Sequence, residues 1–524
     1  WLLPHDYFTG EPTDHGLSLL APIVDSIRAA HPGRTALVDS GDLLQGNPLA
    51  YVFSELRAGE RHPIIATMDL MRYDAAAIGN HEFNFGIEHL DRSIYGATTR
   101  FVSANIFHHG TSEHAYTPYV IIDREIAGRP IRVGITAATP PGVHVWDRVH
   151  VEGRLEFRDI VESIRPVVSK MREEGADVVV VAAHSGLEGT SYDTLTSGLA
   201  AENVMARVAH EISGIDAIFL GHTHREVADT TIGGVLVLQA RNWARSLAVA
   251  HLDVTSDGGG WRVTSRRGEV IRPNPATSSE AVERLVDPAH RRAVEYVTRP
   301  IGTSTERLTA GAARVRTTPI IDYINHVQRQ VAGTDLSAAS AFNLSAEIPE
   351  GPVTVADVAR LYVYDNNTLM AVRISGAQLR DYLEKSAEYY LPCPNPLCER
   401  VTNPGVPGYN FDIVSGVSYT LDISRPVGQR VVRLERDGRA VRADDSFTLA
   451  LNNYRQGGGG GFTMLSGAPV IHDRGESIRD LLVADITARG TLRVEEIERS
   501  DWRVVPESAA DRAVAEQTRP DAPR

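Results

Sequence analysis

Residues 79 to 86, Gly79-Asn80-His81-Glu82-Phe83-Asn84-Phe85-Gly86, set an amide, an imidazole and a carboxylate side by side directly after the small apolar run Ala75-Ala76-Ala77-Ile78. A run of this kind ending in polar residues reads as a buried parallel strand delivering side chains at its carboxyl end, where open α/β sheets place their sites. Three more stretches repeat the pattern: Val38-Asp39-Ser40-Gly41-Asp42, Val179-Val180-Val181-Ala182-Ala183-His184-Ser185-Gly186 and Ala217-Ile218-Phe219-Leu220-Gly221-His222-Thr223-His224. Taken singly, Asp42 reads as a cap or turn carboxylate, and His222 and His224 as ordinary loop histidines. In succession after four apolar runs they read as one site. Asp42, Asn80, His184, His222 and His224 are the candidate metal ligands, a set without thiolates that suits borderline-hard ions such as Mn²⁺ and Zn²⁺. Two divalent ions, Mn, Zn, Co or Mg, held there can grip a phosphate, activate water and offset charge on the leaving oxygen. His81 is then free to stabilise the phosphoryl oxygens or to protonate the leaving group. The chemistry expected is hydrolysis of a phosphate ester.

The elements that must position these residues alternate. Apolar residues at helical spacing run from 17 to 31 and stop at Pro32-Gly33, a short strand follows at 35 to 38, and a helix is expected over 49 to 72. Strands at 131 to 136, 177 to 183 and 216 to 220 alternate with helices near 158 to 174 and 198 to 211. Strands at 235 to 239 and 246 to 254 then lead into a hairpin turn at Asp257-Gly258-Gly259-Gly260. The βαβ rhythm implies an α/β fold with a parallel sheet and helices on its faces, ending near 270. Residues 271 to 301 read as a connector built on a charged, solvated helix. From 302 to 507, helices near 317 to 332, 354 to 361 and 376 to 389 mix with strands near 369 to 374, 417 to 422, 430 to 434 and 446 to 451. Residues 508 to 524 are small, charged and Pro-containing, and are expected to be a disordered tail.

At 524 residues the chain exceeds one core, and domains of roughly 150 residues predict two to four of them. A net charge of −14 argues against a binder of nucleic-acid polymers. No run approaches the roughly 18 apolar residues of a membrane helix. The two cysteines, Cys393 and Cys398, are spaced for a small disulfide-closed loop, with two unrelated thiols as the other reading; a zinc site would need two more ligands. The opening Trp1-Leu2-Leu3-Pro4, without Met or signal peptide, reads as that of a fragment or a processed form.

Gly41-Asp42, Gly79-Asn80-His81-Glu82, His184-Ser185-Gly186 and Gly221-His222-Thr223-His224 together resemble the successive blocks of the calcineurin-like metallophosphoesterases. The second half resembles the nucleotide-binding domain of the 5′-nucleotidase family. Gly79 to Gly86, Tyr409-Asn410-Phe411-Asp412 and Asn452-Asn453-Tyr454-Arg455 most resemble its 2′,3′-cyclic-nucleotide 2′-phosphodiesterase/3′-nucleotidase branch. The resemblance implies a four-layer αββα catalytic domain with mixed sheets over 1–270, a linker helix within 271–301 that lets the second domain swing, and an α+β substrate-binding domain over 302–507. It implies that Asp42 bridges two metals, that Asn80, His184 and His222 complete one site, that His224 serves the other, and that His81 is the catalytic histidine. It further implies that Phe411 with Tyr409 on one side and Phe462 on the other sandwich the base, with Asn453 among the substrate-binding positions. The partner implied is a nucleotide, bound by an exported monomer: periplasmic, wall-associated or secreted.

Three departures stand out. The family's Asp-x-His block belongs immediately upstream of Trp1, which would leave the His224 site short of two ligands in this chain. Asn84 stands where many 5′-nucleotidases carry an Asp that orients the histidine. Ala339-Ser340-Ala341-Phe342-Asn343 carries no counterpart of the 5′-nucleotidase arginine grip, which favours cyclic and 3′ substrates. The competing expectations are a 5′-nucleotidase or nucleotide-sugar hydrolase, and a weakly active nucleotide-binding protein.

Overall fold

The computed structural model describes residues 1–192, 194–256, 258–393, 398 and 400–517, and the chain divides into compact units Trp1–Glu295 and Tyr296–Arg524. Asp257, the first residue of the expected hairpin turn, and residues 518–524 of the expected tail lie outside the described residues.

The first unit is built on two sheets. One carries Val38–Asp39, Ala75–Ala77 and Arg100–Val102, all parallel. The other has six strands in the order Val227–Ile232, Val235–Gln239, Ala217–Leu220, Val178–Ala183, Arg129–Thr136, Tyr119–Ile126; its centre is parallel and its outermost pairs antiparallel. Val178–Ala183 is buried at every position, as a strand covered on both faces must be. On one face lie the helices Ile160–Glu173 and Met205–Glu211, whose Ile160, Ile164, Val167, Val168, Met171, Met205 and Val208 pack with Val179, Val181 and Ile218. On the other, Ile122, Ile135 and Ala137 meet Ala75, Ala77 and Val102 of the three-stranded sheet. This is the mixed-sheet, layered arrangement expected from the sequence. Because the central strands run the same way, their carboxyl ends share one rim.

Several element boundaries differ from expectation. The helix expected over 49 to 72 is three pieces: Pro48–Tyr51, a π-helical turn Val52–Leu56, and Pro63–Leu70, which Pro63 opens at its first position. Only Met205–Glu211 of the expected 198–211 is α-helical. The helix expected to be a solvated connector, Glu280–Thr298, spans the division between the units and buries Val282, Val286, Ala289 and Ala293 along one stripe. Tyr7 Oη to His290 Nδ1 at 2.9 Å and Arg292 to Glu60 at 2.5 Å tie it to the first unit.

The second unit centres on a five-stranded sheet in the order Asp412–Ser415, Leu336–Ser340, Ser446–Asn452, Thr368–Ser375, Val470–Ser477. Gly376–Ala387 starts from a capping box in which Ser375 and Gln378 satisfy each other's backbone amides. Cys393 and Cys398 form a disulfide, with Cα atoms 5.6 Å apart. The tail expected to be disordered is corrected over its described part: Glu507–Gln517 is a helix that buries Ala509, Ala510 and Ala513. Glu516 accepts from the Val401 and Thr402 amides. The small residues Ala509, Ala510 and Ala513, read as part of a disordered tail, here form the packing face. Among the described residues no helix is long and apolar enough to cross a membrane.

Candidate active site

Two loops at the rim of the first unit cross in close contact. A Cβ on Gly41 would lie 2.7 Å from the Gly79 amide nitrogen, and one on Gly79 2.3 Å from Asp42 Oδ1, so both positions require glycine. Glu82, fully buried, pins the crossing by accepting from the amides of Gly79 at 2.6 Å, Asp42 at 2.9 Å and Leu44 at 3.2 Å, and from that of Leu43. Asp42 is thereby held at φ 68°, a left-handed conformation in which a non-glycine residue is strained, and its Oδ1 accepts from the His81 amide at 2.9 Å. The sequence showed Glu82 only as part of a motif; its role as the pin comes from the crossing.

Asp42, Asn80, His184 and His222 converge at this rim. Ligand atoms of Asp42, His184 and His222 lie within 4.8 Å of one another, and Asn80 Oδ1 is 3.1 Å from His222 Nδ1. His184 Nδ1 is 2.7 Å from the Ser40 carbonyl, which only accepts, so Nδ1 carries the proton and Nε2 presents its lone pair. That Nε2 is buried and makes no hydrogen bond, although Asp42 Oδ2 is 2.8 Å away. With the ring neutral, Nε2 and Asp42 Oδ2 direct two lone pairs at a common point, where a divalent cation would take the place of a proton, and the donor set fits one. Burial alone would push the Asp42 carboxyl up; His184 and His81 beside it hold it well below the usual range. Burial likewise pulls both histidines down, and the Asp42 carboxylate outweighs it and raises them.

The loop bearing His222 and His224 is braced. Both are at positive φ, 66° and 54°, Gln239 Nε2 donates to the Gly221 carbonyl at 3.3 Å, and the Trp146 ring stacks on His222 with centroids 5.5 Å apart. His224 is exposed and feels the charges of Asp42, His81, His184 and His222. It is not one of the converging donors among the described residues.

His81 sits beside this set, its Nε2 3.9 Å from Asp42 Oδ2. On the far side of the ring Nδ1 is 2.5 Å from Asn84 Oδ1, and Asn84 Nδ2 donates to Asp147 Oδ1 at 2.8 Å. Burial pushes the Asp147 carboxyl up to about 7. Sequence reading missed Asp147, which lies 63 residues from Asn84 in a segment without strand or motif signal.

In the second unit the expected base sandwich needs correction. Phe411 and Phe462 are both fully buried. Phe411 packs among Tyr389, Tyr390 and Trp502, with centroids 5.5 to 5.7 Å away. Phe462 lies between Tyr382 at 4.6 Å and the Arg455 guanidinium at 4.3 Å. Neither ring has a face open to a base. Tyr409 is 38% exposed and Tyr454 half-buried. Arg455 ties them together by donating to the Tyr409 carbonyl, lying 5.4 Å from the Tyr454 ring and pairing with the buried Asp412 at 2.8 Å. Asn453 Oδ1 accepts from the Thr368 amide at 3.1 Å.

Residues 5–226 match the calcineurin-like phosphoesterase family, and residues 300–467 the 5′-nucleotidase C-terminal domain. The chain is 30% identical to a 2′,3′-cyclic-nucleotide 2′-phosphodiesterase/3′-nucleotidase of Haemophilus influenzae, over 98% of this chain and 87% of that protein. It is 31% identical to the trifunctional nucleotide phosphoesterase protein YfkN of Bacillus subtilis over 97% of this chain, and spans only 38% of that longer protein. A Staphylococcus aureus crystal structure assigned as a 5′-nucleotidase superposes with a TM-score of 0.82 at 25% identity, covering 96% of this chain and 97% of the other. The chain belongs to the 5′-nucleotidase family of calcineurin-like metallophosphoesterases, a family of phosphoric ester hydrolases.

Proposed function

We propose that this chain hydrolyses nucleotide phosphate esters in a metal-dependent reaction, taking 2′,3′-cyclic nucleotides to 3′-nucleotides and 3′-nucleotides to nucleosides. The observation that carries the reading is the convergence of Asp42, Asn80, His184 and His222 beside His81. Divalent metal ions held by Asp42, Asn80, His184 and His222, with a second site served by His224, would bind the phosphate and make water nucleophilic. The chain's own part is positional and acid–base. His184 is locked by Ser40 in the tautomer that offers Nε2, and Asp42 is held at its strained φ by Glu82. As water adds to phosphorus and the P–O bond to the leaving group breaks, the leaving oxygen takes a proton from His81 Nε2. Tyr409, 38% exposed, and the half-buried Tyr454 would hold the base by stacking, which tolerates any base.

The cyclic and 3′ specificity is supported by the Haemophilus relative's activity, by Asn84, and by the absence of arginine from residues 339–347. The likeness to the Staphylococcus structure favours a second reading, 5′-nucleotide hydrolysis. The Cys393–Cys398 disulfide supports an oxidising location outside the cytoplasm. The deciding experiment is kcat/KM for 2′,3′-cyclic AMP, 3′-AMP and 5′-AMP with Mn²⁺. A preference for the first two is expected. A preference for 5′-AMP would replace the specificity and keep the reaction class, whereas binding without turnover would leave a nucleotide-binding protein.

A further inference from the structure

Asn84 sits between His81 Nδ1 and Asp147 Oδ1, and both Asn84 and Asp147 are more than nine-tenths buried. An amide has one donating end and one accepting end. With Asp147 ionised, its Oδ1 can only accept, and the Asn84 NH₂ group stands 2.8 Å from it. The amide must therefore turn its NH₂ group to Asp147 and its oxygen to His81. That oxygen only accepts, so His81 Nδ1 must carry hydrogen, which leaves Nε2 as the nitrogen that faces Asp42 and does chemistry. The segment that supplies Asp147 is itself anchored at the site. The Asp147 amide donates to the Val143 carbonyl at 2.9 Å, and the preceding residue, Trp146, stacks on His222.

We propose that Asp147 is a positioning residue of the hydrolytic site: it fixes the orientation of the Asn84 amide, and through it the tautomer and direction of His81. The proposal rests on the metallophosphoesterase reading for its catalytic consequence, but its structural content is independent of turnover. It also explains how an Asn serves where a carboxylate would otherwise orient the histidine. A carboxylate at 84 would face a second carboxylate at 147, whereas the amide, with one donating and one accepting end, joins the Asp147 carboxylate to His81 Nδ1–H without repulsion.

Four variants test it: Asp147→Ala, Asp147→Asn, Asn84→Asp, and the double variant Asn84→Asp/Asp147→Asn. The substrates are 3′-AMP, whose alkoxide leaving group needs a proton, and p-nitrophenyl phosphate, whose leaving group hardly does. Asp147→Ala should lower kcat for 3′-AMP by about a hundredfold, the low end of general acid catalysis, with little change in KM and only a small loss on p-nitrophenyl phosphate. Asp147→Asn keeps an acceptor and should stay close to the parent. Asn84→Asp should lose activity, and the double variant, with donor and acceptor exchanged between the two positions, should recover much of it. Equal losses on the two substrates, or a double variant no better than Asn84→Asp, would overturn the proposal. An independent readout is ¹⁵N-histidine NMR of the metal-free protein, with His81 assigned by its absence in His81→Gln. At a pH above the raised His81 pKa, where the ring is neutral, the Nδ1–H tautomer is expected in the parent, and a mixture in Asp147→Ala; an unchanged tautomer would overturn the assignment even if no substrate were turned over. A parent inactive on both substrates, with the tautomer behaving as expected, would instead remove the hydrolase reading.

Discussion

His184 shows how a single side chain can be committed to a ligand. Its Nδ1 is occupied by the Ser40 carbonyl, and its Nε2, buried and unbonded, points at Asp42 Oδ2. Replacing it with alanine removes a ligand at the edge of the core rather than a packing residue. His184→Ala is therefore expected to fold and to lose hydrolysis at limiting Mn²⁺ by more than the roughly 10- to 100-fold cost of losing an outer partner of a ligand. Metal content by mass spectrometry beside turnover is the check, and near-parental turnover would show that His184 is no ligand. The same scale separates the aromatic residues of the second unit. Tyr454→Ala should raise KM roughly tenfold with little change in melting temperature, since base stacking is worth about 1–3 kcal/mol. Phe462→Ala should cost about 3–5 kcal/mol of stability, as a ring wholly inside a core does. A Phe462→Ala protein with parental stability and a raised KM would restore Phe462 to the base. The converging residues Asp42, Asn80, His184 and His222 were legible as a group in the sequence because each follows an apolar run and differs sharply from it. The two phenylalanines were misread because a motif position says which residue is present, not which way its ring points. Glu82 and Asp147 act through partners 40 and 63 residues away, which no local pattern reports.

At the scale of elements, the strands that carry the site were readable because they are buried on both faces and hence continuously apolar. The breaks in the 48–70 region were not. There the chain passes from α to π, crosses the polar turn Arg57-Ala58-Gly59-Glu60-Arg61 and re-enters α at Pro63, and His62 caps the last piece, accepting from the Ile64 amide. His62 is 1% exposed and His89 3%, their rings 6.4 Å apart. Burial depresses both, His62 to about 3 and His89 to about 4, against an ordinary value of 6.5. Their folded values lie below their unfolded ones, so the unfolded chain binds the extra protons. The stability associated with neutral, buried rings is present above about pH 6.5 and is lost as pH falls toward 4 and below. The first unit should accordingly lose stability, of the order of a few kcal/mol, on acidification from about pH 7 to 5, before most carboxylates titrate. His62→Asn keeps a capping side chain and cannot titrate, and should flatten this slope. Urea midpoints at several pH values decide it, and an unchanged slope in His62→Asn would place the acid sensitivity elsewhere.

For the whole molecule, the decisive property is that stabilising devices of different chemistry sit in different compact units. The converging candidate ligands all belong to Trp1–Glu295, and the disulfide, the Arg455–Asp412 pair and Phe462 to Tyr296–Arg524. The sequence suggested the division through the charged stretch near 280. It missed the stripe of Val282, Val286, Ala289 and Ala293 that makes this stretch a packed helix, because apolar residues at spacings of three and four are diluted by the charges between them. A ligand that binds one folded unit stabilises it by RT ln(1 + [L]/Kd), about 2.7 kcal/mol at a hundredfold excess over Kd. Mn²⁺ should therefore raise the melting transition that carries the first unit, and chelation should reverse the shift. Reduction, or replacement of Cys393 and Cys398 by serine, should lower the transition that carries the second unit by about 2 kcal/mol, the loop-entropy value for so short a loop. Phe462→Ala identifies that transition independently, since its cost falls on the same core. Calorimetry of the parent, of Phe462→Ala and of the reduced protein, each with and without Mn²⁺, separates these effects. A metal shift in the transition that Phe462→Ala lowers would mean that the ligand set acts on more than its own unit, and the assignment of metal stabilisation to the first unit would have to be given up.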